Sequence, residues 1–589
     1  MRLRTWMAVG IIAAAAAPVS AQAPAKVASQ PSNADGRLRA LYDGYAAWDA
    51  RESEQFEDAK GETKSTAHLP HVDAASQMRR AAYLKDLLAQ LNAIDPKSLS
   101  EPERVNAAVF RTVLENALGE ARFRQWEMPF NSDSSFWTYL DGRRSFSEVG
   151  EYQRYIGRMR DIPRYFDEQI ANMRAGLKRG FSVPKATLAG RDASIALFVV
   201  DDPAKSSFLK PFADMPATIP AAQQQALRAE AIDAVRTNVL PAYRKLLQFY
   251  RTEYYPKART TIAARDMPDG DAYYRANIRQ YTTTDKSPEE IHQLGLKEVA
   301  RIDAEMRKTM AETGFKGSFE QFLVFLKTDP QFYAKTPDEL MGVSSYVAKR
   351  TDGKIGEFFG LLPRRRFAIV PVPDALAPFY TSGRGGLESC QMNTYNLPTR
   401  PLYQTPALTL HECAPGHSFQ AALSQEQKAL PRFRQNLYFS GYGEGWGLYS
   451  EWLGYPMGIY RTPYERFGAL SYEMWRAARL VIDTGIHRYG WSRQKAIDYL
   501  SSHTALSQHE VVNEVDRYIS WPGQALAYKL GELTIRKLRT EAETQLGPRF
   551  DQRAFHDRIL GMGAVPLTVL EEQMRAWIFA EKAKPAKPT

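Results

Sequence analysis

Residues 405–420 read TPALTLHECAPGHSFQ. Thr405 can cap a helix that begins at Pro406, since proline fits the first helical position, where its missing N–H is not needed. The adjacent His411 and Glu412 then lie about one and a half turns in. Pro415 cannot donate a helical hydrogen bond and clashes with the carbonyl of His411, and Gly416 permits unusual dihedrals, so the helix must kink or unwind there. Outward from this stretch, helical spacing recurs: Leu84, Leu87, Leu88 and Leu91 form one stripe, and Val235, Val239, Tyr243, Leu246 and Tyr250 another. Ser287-Pro288-Glu289-Glu290 is a capping box with proline at the first turn, predicting a long helix to about Met310. The exception is residues 364–396, where Arg366–Val372 and Cys390–Thr394 read as short strands around the Gly-rich loop Ser382–Gly386. No internal repeat and no alternation of strands with helices argues for a parallel sheet. The sequence predicts a mainly α protein with one small sheet beside residues 405–420.

At 589 residues the chain exceeds the span of a single core, so at least two lobes are expected. We place an N-terminal helical lobe at 37–286, a C-terminal helical lobe at 287–580 and a tail at 581–589. Residues 1–23, MRLRTWMAVGIIAAAAAPVSAQA, have a basic start, a short apolar stretch and small residues before a cleavage point, the pattern of a secretory signal peptide. Residues 24–36 read as a flexible linker. No other stretch is long and apolar enough to span a bilayer. No cysteine lies near the cleavage point to take a lipid, so the expectation is export to the periplasm, or secretion. The net charge is +10, but the 77 Lys and Arg are scattered among 67 Asp and Glu with no basic tract, which argues against a nucleic-acid partner. Cys390 and Cys413 would meet an oxidising compartment, yet sequence cannot measure their separation, and two separate buried thiols are the simpler expectation.

A His-Glu pair is the front half of the zinc-peptidase helix motif, in which the His binds metal and the Glu takes a proton from metal-bound water. The full motif has a second His four residues on, which puts both imidazoles on one helix face. Here the next histidine is His417, six residues after His411 and about 120° round an unbroken helix. A kink at Pro415-Gly416 would turn it back. His509-Glu510 is another such pair, and nothing suitable follows it. Catalytic zinc takes three protein ligands and keeps an open position. The third candidate is Glu444 in Gly441–Glu451, GYGEGWGLYSE, on a helix packed antiparallel to the first; Glu451 is the fallback, otherwise read as a surface carboxylate.

HECAPGH and GYGEGWGLYSE, then DTGIH (Asp483–His487) and EVDRYISWPGQALAYKLG (Glu514–Gly531), resemble the bacterial domain-of-unknown-function family 885. The resemblance implies a zinc-dependent peptidase related to the helical oligopeptidases and carboxypeptidases that include angiotensin-converting enzyme and neurolysin. It also implies their fold, a two-lobed helical body around a deep channel with one zinc at its floor. By position His411, His417 and Glu444 match the zinc ligands and Glu412 the general base. The six-residue histidine spacing departs from the four-residue spacing of those relatives and leaves the metal geometry open.

In this reading Glu412 takes the proton of a zinc-activated water that attacks the carbonyl of a short peptide. His487, Tyr518 or Tyr528 could donate to the oxyanion. Arg479, Asp483 and His487 recur every four residues, so Asp483 could orient His487, the alternative being an ion ladder along one helix. Arg517 could bind a peptide C-terminal carboxylate, with Gln524 in the same helix break, or else form a structural ion pair. Gln391–Thr394 could offer an open strand edge to substrate, with a contact from Asn393, or merely pair the local sheet. The rivals are a non-catalytic peptide- or zinc-binding protein on the same scaffold and a zinc hydrolase of another amide or ester. The oligomeric state has no signature.

Overall fold

Apolar residues at helical spacing, punctuated by caps, build almost the whole molecule: 68% is helix and 3% strand. The computed structural model describes residues 33–584 except 133, 143–144, 374–376 and 378–380. The expected signal peptide and most of the expected linker lie outside the described residues. The first helix, Ala34–Glu52, starts inside the stretch read as linker, because Asn33 accepts from the Gly36 N–H and caps it. The last helix, Leu567–Ala583, runs past the expected start of the tail at 581. Among the described residues no helix is long and apolar enough to cross a membrane.

The stripes behave as expected. Leu84, Leu87 and Leu91 are buried on the helix Ala74–Asn92, and Leu88 packs at the margin of that cluster. The helical run 221–257 buries Val235, Val239, Tyr243, Leu246 and Tyr250 while making two π turns, Val235–Val239 and Tyr250–Tyr254. Ser287 caps the helix Pro288–Glu312 with the capping box that its sequence predicts. One apolar cluster draws only on residues 69–258 and another almost wholly on 347–578. Others cross the boundary expected at 286/287, joining Phe123, Tyr273, Tyr274 and Ile278 to Leu480, Leu526 and Leu530.

Among the described residues two small sheets are present. β1 (Gln55–Glu57) and β2 (Thr63–Ser65) form an antiparallel pair that the sequence reading misses. In the second sheet β3 (Ala368–Pro371) pairs parallel to β5 (Ser389–Met392), and β4 (Gly383–Gly385) pairs antiparallel to it. The order is β3-β5-β4, so the Gly-rich stretch read as a loop is itself the edge strand. This corrects the expected open edge at Gln391–Thr394: β5 is paired on both sides. Cys390 on β5 and Cys413 at the end of the helix Thr405–Glu412 are joined in a disulfide, not left as separate thiols. The bond ties the sheet to the residue following Glu412.

Candidate metal centre

Gln404, not Thr405, is the cap of the helix Thr405–Glu412, which carries His411 and Glu412 in its last turn. The break falls where proline and glycine put it. Ala414–Pro415 is cis, and a new helix, His417–Glu426, begins two residues later. Gly416 is obligatory at this corner, since a Cβ there would lie 1.8 Å from the carbonyl oxygen of His411. The Trp446 indole donates to the Pro415 carbonyl at 2.8 Å and pins the turn. The outcome is that His417 swings back to His411, with ring centroids 4.8 Å apart and planes at 85°.

The helix Ser440–Leu453 packs against the first and brings in Glu444. Its Oε2 lies 3.6 Å from Nε2 of His411 and 3.3 Å from Nε2 of His417. Ligand atoms at zinc's bond lengths of about 2.0–2.2 Å, arranged as a tetrahedron, stand about 3.3–3.5 Å apart. The donor set and spacing therefore fit a zinc ion with one face open. The second cluster of metal-binding residue types, His71, Asp73 and Glu168, does not: Arg164 donates to Glu168 at 2.7 Å and lies 3.1 Å from the His71 ring.

Glu451 is neither a ligand nor a surface carboxylate. Two turns beyond Glu444 on the same face, it is buried and accepts from Nδ1 of His411 at 2.7 Å, which fixes the ring and aims Nε2 at the cluster. Arg476, also buried, balances it at 3.3 Å. Burial opposes charge on His411, but Glu444 and Glu451 outweigh it and push its pKa up to about 9. Burial would raise Glu444, yet His417 and His411 hold it well below the usual carboxylate range. The Tyr438 hydroxyl donates to Glu444 Oε1 at 2.9 Å. Gly447 lets the two helices close: a Cβ there would stand 2.7 Å from the His411 ring.

Glu412 leans on the edge strand, its Oε2 accepting from the Gly385 N–H at 2.6 Å. Ladder alternation, with Asn393 N–H donating to the Ser382 carbonyl, turns the peptide groups of Gly383 and Gly385 away from β5. The site thus has a strand edge beside the carboxylate.

Tyr528 stacks on His411, with centroids 6.5 Å apart and planes at 18°, and accepts from Arg517 Nη2 at 3.2 Å. Arg517 also donates to Gln524 at 3.0 Å and pairs with Glu514 at 3.6 Å. These three residues gather on the Tyr528 side of the metal ligands, as the helix break at Trp521–Gly523 requires. Arg479 and Tyr518 lie beneath them in the core. The Arg479 guanidinium is held between the Trp475 and Tyr528 rings and bonds Glu514 and the Tyr518 hydroxyl. That hydroxyl also accepts from Trp475, so neither group is presented to substrate.

Two expected site residues are elsewhere. His487 is fully buried: Nδ1 accepts from the Ala264 N–H and Nε2 donates to the Tyr518 carbonyl, while burial pushes its pKa down to about 3. Both nitrogens are spent on backbone, so it cannot stabilise an oxyanion. Asp483 does not orient it, bonding instead the Tyr274 hydroxyl and the Gly523 N–H. The ladder reading fails too, since each of the three residues has partners on other segments. Asn393 is buried and donates to the carbonyls of Ala377 and Thr381, a brace for the sheet.

Among curated proteins none matches this sequence. Several solved structures are similar, two of them as follows. A predicted lipoprotein from Colwellia psychrerythraea, 26% identical, superposes with a TM-score of 0.85 over 93% of this chain and 100% of its own. A predicted lipoprotein of unknown function from Shewanella oneidensis, 18% identical, gives a TM-score of 0.66 over 92% and 99%, a likeness of fold. The family model described as "Bacterial protein of unknown function (DUF885)" matches residues 57–574. With that match spanning most of its length, the chain belongs to this family.

Proposed function

We propose that the protein is an exported zinc-dependent peptidase acting on short peptides. The observation that carries this reading is the convergence of His411, His417 and Glu444 at zinc spacing, with Glu412 next to His411 and near enough to act on its charge. When bound, zinc would polarise the scissile carbonyl and lower the pKa of the attacking water toward about 7. Glu412, fixed through Oε2, offers Oε1 to take the proton of that water and returns it to the leaving amine. The outward peptide groups of Gly383 and the carbonyl of Gly385 would align the substrate backbone beside Glu412, the Gly385 N–H being held by Glu412 itself. The Tyr528 hydroxyl is the nearer of the expected oxyanion donors, since it stacks on a ligand and receives its own hydrogen bond from Arg517. Arg517 in turn would meet a substrate carboxylate. Export accords with the signal-like N-terminus and with the description of the similar structures as lipoproteins. The test is hydrolysis of a set of short peptides by the zinc-loaded protein, the chelated protein and Glu412→Gln. Cleavage should require zinc and fall by at least about a hundredfold in Glu412→Gln; full activity in that variant would sink the assignment.

A further inference from the structure

A cleft open to solvent adjoins the metal centre. Met392, Leu408 and Tyr472 give it apolar walls, and Ser382, Arg400 and Gln404 give it polar ones. It is continuous with the catalytic face. Leu408 and Glu412 are four residues apart on one helix, and a Cβ on Gly383 would touch both, at 3.5 and 3.4 Å. A substrate lying along β4 would therefore pass the mouth of the cleft beside Glu412.

The polar wall is one-sided. Arg400 Nη1 is held by the Ser382 hydroxyl and Glu510 Oε1, each at 3.3 Å, but its Nε is buried with no partner. Gln404 is almost wholly buried, and its Nε2 also lacks a partner. Two buried donors without acceptors are costly, and they occur here in one cleft. Among the described residues no carboxylate lines it, and its one charge is positive. Glu510, of the second His-Glu pair, fixes Arg400.

We propose that this cleft is a specificity pocket for an acidic side chain of the peptide substrate, whose carboxylate accepts from Arg400 Nε and Gln404 Nε2 while its methylenes lie against Leu408 and Met392. The proposal rests on the peptidase reading, and its test separates the two. Hexapeptides that are otherwise neutral, with Asp, Asn or Leu walked through each position, are assayed for kcat/KM on the zinc-loaded protein. The same peptides are titrated calorimetrically into zinc-loaded Glu412→Gln. At one position Asp should be favoured over Leu by about tenfold or more. Arg400→Lys keeps the charge facing Glu510 but loses Nε, and Gln404→Leu removes the second donor; each should cut the ratio to within about threefold. A ratio absent at every position, or surviving both substitutions, would overturn the pocket and leave a cleft filled by water. Asp-selective binding with no cleavage by wild type would keep the pocket and overturn the peptidase. Cleavage without selectivity would do the reverse.

Discussion

Gly447→Ala tests the metal centre through packing alone. The new Cβ would stand 2.7 Å from Cε1, 2.8 Å from Nε2 and 3.0 Å from Nδ1 of His411. Ordinary contact begins near 3.5 Å, so the ring must retreat by about 0.8 Å. It cannot retreat freely, because Nδ1 is bonded to the buried Glu451. Zinc sites tolerate ligand displacements of about 0.2 Å, and disturbed outer partners cost about 10–100-fold in metal affinity. We therefore expect zinc to bind about 10–100-fold more weakly, measured by competition with a chromophoric chelator. The fold should suffer little: alanine gains about 1 kcal/mol over glycine in a helix and overpacking costs about 1–3 kcal/mol. Gly342→Ala is the control, on an exposed helical position where the Cβ meets nothing within 4 Å. It should raise stability by about 0.5–1 kcal/mol and leave zinc affinity alone. Wild-type zinc affinity in Gly447→Ala would refute the placement of His411 as a ligand.

Three further predictions follow from the same geometry. Replacing Cys390 and Cys413 by serine removes a cross-link between residues 23 apart and should cost about 3 kcal/mol in urea unfolding, an unchanged midpoint being the contrary result. Asp483 is pushed up to about 7 by burial, against hydrogen bonds from Tyr274 and Gly523 that lower it. The folded state then holds a proton that the unfolded state has lost between about pH 4 and 7. Stability should fall as pH rises through that window, by up to about 1.4 kcal/mol per unit, and Asp483→Asn should flatten the slope; an equal slope in both proteins would contradict this. C-terminal amidation of a peptide should slow its cleavage by wild type but not by Arg517→Ala, whereas equal slowing in both would dismiss Arg517 as a carboxylate anchor.

Much of this was legible in the chain, because local chemistry decided it. The capping box at Ser287 and the stripe from Val235 to Tyr250 are local patterns, and each folds as its spacing demands. Pro415 and Gly416 forecast the break that turns His417 toward His411, although not its form. What spacing could not supply was partnership across the fold. Arg479, Asp483 and His487 share a helix face, yet each is claimed by a group from another segment, so the imagined relay does not exist. Glu451 looked like a surface carboxylate, though its seven-residue distance from Glu444 already set it on the ligand-bearing face. Glycines at 445 and 447 were a signal of close helix approach, and the Cβ distances at each give the reason, whereas Gly443 makes room for the Tyr438 ring. β4 escaped notice because glycine has no side-chain pattern by which to register a strand.

His411, His417 and Glu444 are proposed to hold one zinc ion despite the six-residue histidine spacing. Elemental analysis of the purified mature protein, after zinc is offered and excess removed, measures this directly beside His417→Ala and Glu412→Gln. About one zinc per chain is expected in wild type and Glu412→Gln, and its loss in His417→Ala. No metal in wild type, or equal metal in His417→Ala, would contradict it.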